Sequence, residues 1–155
     1  MRYEVSLEIN RSREEIIDIF TNPDQWQRWQ PTLDSYQFIS GNLGEEGSKM
    51  KIVYAEKNRK IELIETIIEN RMPEYFAAEY TSGKTENFIR NWYEESGDQK
   101  TTWIMESEFR FKGLMYILGP LLKPYLKKTS LKFMNNFKLY AENRMVNQAL
   151  LDTDG

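Results

Sequence analysis

Residues 113–145 read GLMYILGPLLKPYLKKTSLKFMNNFKLYAENRM, a segment with the spacing of a long amphipathic helix. It follows a run of aromatic-rich segments that read as strands. One C-terminal helix is therefore available to a whole antiparallel sheet. That order predicts a sheet wrapped around the helix, with a ligand cavity between them. The sequence indicates architecture more clearly than chemistry.

Two prolines set the start of this helix. Pro120 and Pro124 lack backbone donors and disturb a helix interior, so we expect the main helix to begin near Pro124. From Pro124 to Met145 it would be roughly 33 Å long at 1.5 Å per residue, enough to cross a small sheet. Its apolar stripe, with spacings of mostly three and four, comprises Tyr125, Thr129, Phe133, Asn136, Phe137 and Tyr140.

The apolar segment before Pro124 has two interpretations, a movable lid over the cavity or a helical turn fixed onto the core. It carries more large apolar side chains than a solvated loop. These residues are Leu114, Met115, Ile117, Leu118, Leu121 and Leu122.

The lysines of the helix form either an ordinary solvated face or, beside exposed apolar residues, a weak contact with an anionic membrane surface. They are Lys123, Lys127, Lys128, Lys132 and Lys138.

Seven strands are predicted. Tyr3, Val5, Leu7 and Ile9 alternate with polar residues, which is the pattern of a half-buried strand. Turn residues then divide the chain between Ser35 and Phe111 into six further segments. Their predicted bounds are Ser35–Ser40, Ser48–Lys57, Lys60–Asn70, Glu74–Thr81, Glu86–Glu95 and Lys100–Phe111.

Two short helices are predicted after the first strand. Ser12 and Glu15 have the spacing of a capping box before the apolar stripe of the first helix. Asn22 is the expected N-cap of the second helix, with Pro23 at its first position. Trp26 and Trp29 lie three residues apart on one face of that helix, and we interpret them as structural anchors rather than ligand-stacking groups.

The third segment of the sheet changes the phase of its alternation. Ile61 and Leu63 share one face, whereas Ile64, Thr66 and Ile68 share the other. If every apolar group points inward, an extra residue is needed near Leu63 and Ile64, which predicts a β-bulge there. The alternative is a two-sided strand whose other face is covered by a helix.

The facing of the strands predicts a mostly apolar interior that also contains amides and hydroxyls. Buried polar groups need partners, and a cavity holding water or an amphipathic ligand would supply them. Alternatively, Asn87 and Asn91 bond to neighbouring backbone, or the facing is inverted by one residue. The predicted cavity-lining residues are Met50, Ile52, Tyr54, Phe76, Tyr80, Asn87, Ile89, Asn91, Tyr93, Trp103, Met105, Ser107, Leu118, Leu122, Phe133 and Phe137.

Composition restricts the function further. The 155 residues include no cysteine and no histidine, so thiolate chemistry, imidazole bases and the usual serine triad are excluded. We expect no metal and no cofactor. A net charge of −3 argues against nucleic-acid binding. The sequence has no apolar run long enough to span a bilayer and no secretion signal, so we expect a cytoplasmic protein. The predicted organisation is one domain over residues 1–146 and a flexible tail over 147–155.

Several sequence features that carry little information individually occur in a characteristic order along the chain. They are a first strand ending at Ile9, Arg13-Glu14-Glu15 followed by Phe20, Pro23 with Trp26 and Trp29, Gly47 before a strand, Met72-Pro73 at a corner, Gly97 before Thr101-Thr102-Trp103, and the closing segment 137–142. Over residues 2–145 the chain resembles the START-like (SRPBCC) superfamily of helix-grip proteins, in its polyketide cyclase/dehydrase and lipid-transport group. The resemblance implies an α+β helix-grip fold, with a seven-stranded antiparallel sheet curved around the last helix and an elongated cavity.

The resemblance also implies binding of lipids, sterols, quinones, hormones or polyketides, with catalysis in a minority of members. No catalytic residue is carried over, because no residue set matches a catalytic constellation of the cyclases. We expect a non-enzymatic carrier or sensor of a hydrophobic or amphipathic small molecule.

The alternative is a cyclase/dehydratase-type enzyme in which Tyr54, Tyr80 or Tyr93 donates to a carbonyl oxygen. Its base would be Glu65 or Glu79, if the facing of a strand is inverted. A third hypothesis is a protein-interaction module similar to chaperone regulators. Ligand identity and oligomeric state are open from sequence.

Overall fold

A computed structural model describes residues 1–153, with side chains for residues 1–143. It contains a seven-stranded antiparallel sheet in the order β1-β7-β6-β5-β4-β3-β2. The strands are β1 (Arg2–Ile9), β2 (Leu33–Ser40), β3 (Lys49–Glu56), β4 (Arg59–Arg71), β5 (Tyr75–Ser82), β6 (Thr85–Gly97) and β7 (Lys100–Phe111). Every strand from β2 to β7 pairs with its neighbour in sequence, and β1 pairs with β7. The sheet therefore has two edges, β1 and β2.

The helices are α1 (Arg13–Phe20), α2 (Pro23–Trp29), α3 (Met115–Leu118), a 3-10 helix (Gly119–Leu122) and α4 (Lys123–Thr153). The predicted helix-grip fold, with its curved seven-stranded sheet, two short helices after β1 and a long C-terminal helix, is confirmed. None of the helices in the described part of the chain is long and apolar enough to cross a membrane. The tail predicted over 147–155 falls on residues whose side chains lie outside the described part, although the α4 backbone continues through Thr153.

The caps of α1 and α2 form as the sequence predicts. The Ser12 side chain accepts a hydrogen bond from the backbone N–H of Glu15 at 3.3 Å. In return the Glu15 carboxylate accepts from the backbone N–H of Ser12 at 3.0 Å. Asn22 Oδ1 accepts from the N–H of Asp24 at 3.1 Å, with Pro23 in the first turn of α2. Both short helices thus start at fixed residues, which positions their aromatic side chains over the sheet.

An aromatic cluster holds α4 on the concave face of the sheet. The ring of Phe137 stacks on Phe20 of α1 with centroids 3.9 Å apart and an interplanar angle of 9°. Trp29 of α2 meets the same ring edge-on at 5.0 Å, and Trp103 of β7 approaches it at 5.6 Å. Aromatic pairs in these geometries add to the free energy gained from burial. The cluster joins α1, α2, α4 and β7 into one core, and Trp29 has the anchoring place predicted for it.

The bulge of β4 is displaced from its predicted position. Pairing between β3 and β4 is regular through Leu63 and Ile64, so the bulge predicted there is wrong. The irregularity lies between Ile67 and Glu69, opposite two consecutive alanines of β5, which makes Ile68 the extra residue. Before the bulge, the residues of β4 that line the interior are Ile61, Leu63, Glu65 and Ile67. The prediction failed because it assumed that a strand never turns a carboxylate inward.

The segment after β7 is attached through Gly119. A Cβ atom placed on this buried glycine would lie 2.2 Å from the ring of Phe111, so only glycine permits the close approach. Residues Leu114 to Leu122 therefore run along the end of β7 instead of folding under α4. The large apolar side chains on either side of Gly119 stay exposed.

The capping box gives a direct stability prediction. Replacing Ser12 with Ala removes the acceptor for the Glu15 N–H and should lower the free energy of unfolding by about 1 kcal/mol. Chemical denaturation followed by circular dichroism measures the change. Ser6→Ala, at an exposed position of β1, is the matched control and should change the free energy of unfolding by under about 0.5 kcal/mol. Equal losses in the two variants would contradict a capping role for Ser12.

Candidate functional site

A cavity of about 710 Å³ lies between the concave face of the sheet and the first turns of α4. This volume falls within the range of small-molecule sites, about 300–1,000 Å³. The helix contributes Leu126, Ser130 and Phe133 to the wall. Exposed residues such as Pro31 and Lys132 also line it, so the cavity communicates with solvent.

Most of the residues predicted to line a cavity surround this one. Their positions follow from the alternation of β3, β5, β6 and β7 and from the inward stripe of α4. They are Met50, Ile52, Tyr54, Phe76, Tyr80, Asn87, Ile89, Asn91, Tyr93, Trp103, Met105 and Phe133. Apolar and aromatic side chains dominate this set, and the polar groups are few and spaced apart.

Four predicted lining residues lie elsewhere. Ser107 is fully buried on β7, and its hydroxyl has no hydrogen-bond partner in the described part of the chain. Phe137 is fully buried in the aromatic cluster. Leu118 and Leu122 remain exposed at the end of β7 and do not reach the cavity. Alternation indicates which face a residue occupies, but the placement of α4 decides whether that face meets the helix or empty space.

The sequence-based prediction left out several parts of the wall. Tyr3 from β1, Phe20 from α1, and both Trp26 and Trp29 from α2 line the cavity. Both tryptophans were expected to be structural anchors. Trp26 does pack edge-on against Tyr36 of β2 at 5.0 Å, and both also face the cavity. The largest omission from the predicted lining is Glu65. The bulge hypothesis placed it on the outer face, and it was named only as a base of the alternative enzyme, if a strand's facing is inverted. Strict alternation from Ile61 would have found it.

Glu65 and Tyr80 form the central polar contact of the cavity. They are direct cross-strand partners on β4 and β5, and the Tyr80 hydroxyl donates to Glu65 Oε2 at 2.6 Å. Burial disfavours the charged carboxylate and raises the pKa of Glu65 above its usual range, although the hydrogen bond from Tyr80 opposes the shift. Glu65 keeps part of its surface accessible because the cavity itself admits water. Its carboxylate is thus shielded by protein and still open to a ligand.

The phenols of the cavity are held as neutral donors. Burial and the neighbouring Glu65 charge raise the pKa of Tyr80 well above its ordinary value and raise that of Tyr54 as well. Burial alone raises the pKa of Tyr93. Tyr54 donates its hydroxyl proton to Gln30 Oε1 at 2.8 Å, so its oxygen keeps a free acceptor position. None of these tyrosines ionises near neutral pH.

The two inward asparagines differ in how they are satisfied. Asn91 Oδ1 accepts from the Trp103 indole at 2.9 Å, and its Nδ2 donates to the Phe76 carbonyl at 3.4 Å. Asn87 is the cross-strand partner of Tyr80, and its buried Oδ1 has no hydrogen-bond partner within the described residues. Asn91 therefore fits the alternative of internal bonding, whereas Asn87 keeps an unused acceptor at the cavity wall.

Glu65, Tyr80 and Asn87 consequently form one polar row across three adjacent strands, set in an otherwise apolar wall. Such a row can bond a single polar group of a ligand, and its carboxyl can exchange a proton. Among the side chains of residues 1–143, no three of the types His, Cys, Asp and Glu come together as a metal site. The row has the properties of a recognition site for one polar group.

Comparison with protein families gives one match. The family model described as "Polyketide cyclase / dehydrase and lipid transport" matches residues 1–142. No curated protein matches the chain in sequence.

Solved structures share this fold at low sequence identity. A START superfamily protein from Mycobacterium smegmatis superposes with a TM-score of 0.76 at 13% identity, covering 92% of this chain and 97% of that one. The Zhui aromatase/cyclase from Streptomyces superposes with a TM-score of 0.77 at 8% identity, covering 94% of this chain and 95% of that one. A truncated norcoclaurine synthase from Thalictrum flavum has a TM-score of 0.64 at 13% identity, covering 89% of this chain and 91% of that one. At these identities the similarity establishes the fold alone.

The raised pKa of Glu65 predicts how stability depends on pH. A carboxyl with a raised folded-state pKa contributes most below its ordinary value near 4.5, and the contribution is lost as pH rises through the folded value. Glu65→Gln keeps an acceptor for Tyr80 and avoids the buried charge. The variant should therefore gain free energy of unfolding relative to the parent as pH increases, by about 1.4 kcal/mol for each unit of pKa shift.

Denaturation across a pH series measures this difference. Glu79→Gln is the matched control, because Glu79 neighbours Tyr80 on β5 but does not line the cavity. Subtracting its pH profile removes the general effect of losing one carboxylate. Identical profiles for the two variants would contradict a buried charge at Glu65.

Proposed function

The chain belongs to the polyketide cyclase/dehydrase and lipid-transport family, within the START-like superfamily, and from this premise we propose that it binds a hydrophobic small molecule with one polar end. The ligand lies in the cavity between the sheet and α4, and the protein acts as its carrier or sensor. The observation that carries the proposal is the polar row of Glu65, Tyr80 and Asn87 in an apolar wall.

Apolar contact supplies the affinity in this proposal. Removing about 300 Å² of apolar ligand surface from water contributes roughly 7.5 kcal/mol at about 25 cal/mol per Å². Loss of translational and rotational freedom offsets much of that gain. The rigid aromatic walls, including Trp26 and Trp103, limit any further ordering cost. Shape and apolar area thus set how tightly a ligand is held.

The polar row supplies orientation. Glu65 has one carboxyl oxygen bonded to Tyr80, and its other oxygen is free to meet a ligand. The unused Oδ1 of Asn87 lies on the neighbouring strand pair. An apolar ligand with no polar end would leave these groups buried without partners, which is unfavourable. The proposal therefore favours amphipathic molecules over pure hydrocarbons.

Filling the cavity tests this function. Leu63→Trp adds bulk to a residue that lines the cavity and should weaken binding of a fluorescent lipid or quinone analogue by at least about tenfold. Ile68→Trp is the matched control on the same strand, because Ile68 is the exposed bulge residue and lies outside the cavity. Fluorescence titration measures affinity, and native mass spectrometry detects copurified ligand. Failure of the parent protein to bind any apolar compound, or equal weakening in both variants, would contradict the proposal.

A specific observation also favours a second function, catalysis of the cyclase/dehydratase kind. A general base that works near neutrality needs a raised pKa, and burial raises the pKa of Glu65 in a water-accessible cavity. In this reaction Glu65 removes a proton adjacent to a ligand carbonyl. Because Tyr80 already donates to Glu65 and Tyr54 to Gln30, the carbonyl oxygen accepts from Tyr93.

The two functions separate in a turnover assay. If the protein is an enzyme, Glu65→Gln should lower kcat on a demonstrated polyketide-like substrate by about 100-fold or more, because proton transfer by a positioned group contributes that much. Substrate affinity should persist, since the glutamine keeps the hydrogen bond with Tyr80. Glu79→Gln should leave kcat unchanged. Unaltered kcat in Glu65→Gln would eliminate this mechanism and leave the carrier function intact.

A further inference from the structure

A second feature of the molecule lies outside the cavity, on the segment that follows β7. Five large apolar or aromatic side chains are mostly exposed there within twelve residues. They are Leu114 (71%), Tyr116 (76%), Ile117 (71%), Leu121 (76%) and Tyr125 (65%). We refer to these five residues as the apolar face. Contiguous exposure of this kind is uncommon on a free protein surface and indicates an interaction site.

The apolar face has a fixed place in the fold. Gly119 sits against the ring of Phe111 and anchors the segment at the end of β7. The N–H groups of Tyr116 and Ile117 donate to the carbonyls of Gly113 and Leu114 at 3.0 and 3.1 Å, which closes the turn of α3. A held helical turn therefore presents these side chains outward.

The chain segment that carries the apolar face has charges of one sign. Residues 112–141 contain six lysines and no Asp, Glu or Arg. Since the whole chain has a net charge of −3, the remaining residues carry −9. Lys112 is engaged by Glu86 at 2.6 Å, and Lys138 lies near Glu142 at 3.8 Å. The exposed Lys123, Lys127 and Lys128 take part in no salt bridge among residues 1–143.

We propose that the apolar face and the three lysines Lys123, Lys127 and Lys128 dock the protein on an anionic lipid bilayer. The leucine and isoleucine side chains enter the boundary between headgroups and acyl chains, as in interfacial helices. Tyr116 and Tyr125 suit the same boundary, because each joins an apolar ring to a hydroxyl that stays hydrated. The lysines meet lipid phosphate and carboxylate groups.

The charge pattern favours a bilayer over a second copy of the chain. In a symmetric dimer through the apolar face, the lysines of both copies would lie near one another, and like charges repel. An anionic bilayer instead attracts every one of them. It also accepts apolar side chains without requiring a complementary protein surface. The bilayer is thus the occupant that suits both the apolar and the charged groups.

Docking would place the cavity close to the lipid. The turn of α4 that carries Lys127 and Lys128 also carries Leu126 and Ser130, which line the cavity. The docking proposal does not rest on the identity of a cavity ligand. It holds for an empty protein and is tested without one.

Vesicle flotation with the full chain provides the test. Vesicles made of equal parts phosphatidylserine and phosphatidylcholine should bind the protein, and vesicles of phosphatidylcholine alone should bind it more weakly. Binding to the anionic vesicles should fall as salt rises, because salt screens the lysine charges. Absence of binding to the anionic vesicles would overturn the proposal.

Two variants locate the contact. Lys127→Glu with Lys128→Glu should weaken binding by at least about 25-fold, since each basic residue near an anionic surface contributes about fivefold. Leu114→Ser with Ile117→Ser and Leu121→Ser should weaken it by at least about tenfold. These side chains are exposed, so the midpoint of thermal unfolding should stay within a few degrees of the parent value as a check on folding.

Matched controls alter the same chemistry elsewhere on the surface. Arg28→Glu with Lys49→Glu changes the net charge equally at exposed positions of α2 and β3. Ile39→Ser with Ile68→Ser and Leu139→Ser removes an equal number of exposed apolar side chains. Both controls should bind vesicles like the parent. Equal weakening by the controls would overturn the assignment. So would a parent protein that binds no vesicles and forms a dimer in size-exclusion chromatography, if the serine variant is a monomer.

Discussion

The stacking of Phe137 on Phe20 is the contact on which the rest of the architecture depends. It fixes the middle of α4 against α1, while Trp29 and Trp103 complete the cluster from α2 and β7. Nearer its start, the helix is held at the edge strand, where the Tyr3 hydroxyl donates to the Leu126 carbonyl at 3.2 Å and lies 2.9 Å from Ser130 Oγ. Between these attachments and strands β3 to β6 the helix does not fill the concave face. The cavity is the space that this mode of attachment leaves open.

The chemistry of that space comes from one strand register. Because Glu65 lies opposite Met50 on one side and Tyr80 on the other, a carboxyl is surrounded by apolar atoms and by a phenol that donates to it. The same register sets Asn87 beside Tyr80 on the next strand. Recognition of a polar group and transfer of a proton require nearly the same arrangement, which is why a family containing carriers and cyclases can share one fold.

Local signals in the sequence were sufficient for the framework. The capping box at Ser12, the Asn22 cap and the alternation of β1, β3, β6 and β7 correspond to the elements of the structure. The candidate site was harder to predict, because the inward face of each strand was assigned on the assumption that charged side chains point outward. Glu65 breaks that rule, and polar residues that break local rules are where functional sites occur. Leu118 and Leu122 break it in the opposite direction, since their apolarity suggested an interior that they do not enter.

The bulge at Ile68 reverses the alternation of β4, so that Asn70 and Met72 line the interior while Glu69 and Arg71 form an ion pair at 2.7 Å on the outside. Asn70 then reaches the loop after β2, where its Nδ2 donates to the Gly44 carbonyl at 2.7 Å. If the same sequence paired regularly through Ile68, with no bulge, the ion pair would turn inward and the asparagine outward. One bulged residue thus decides whether an amide or a pair of charges closes this end of the cavity.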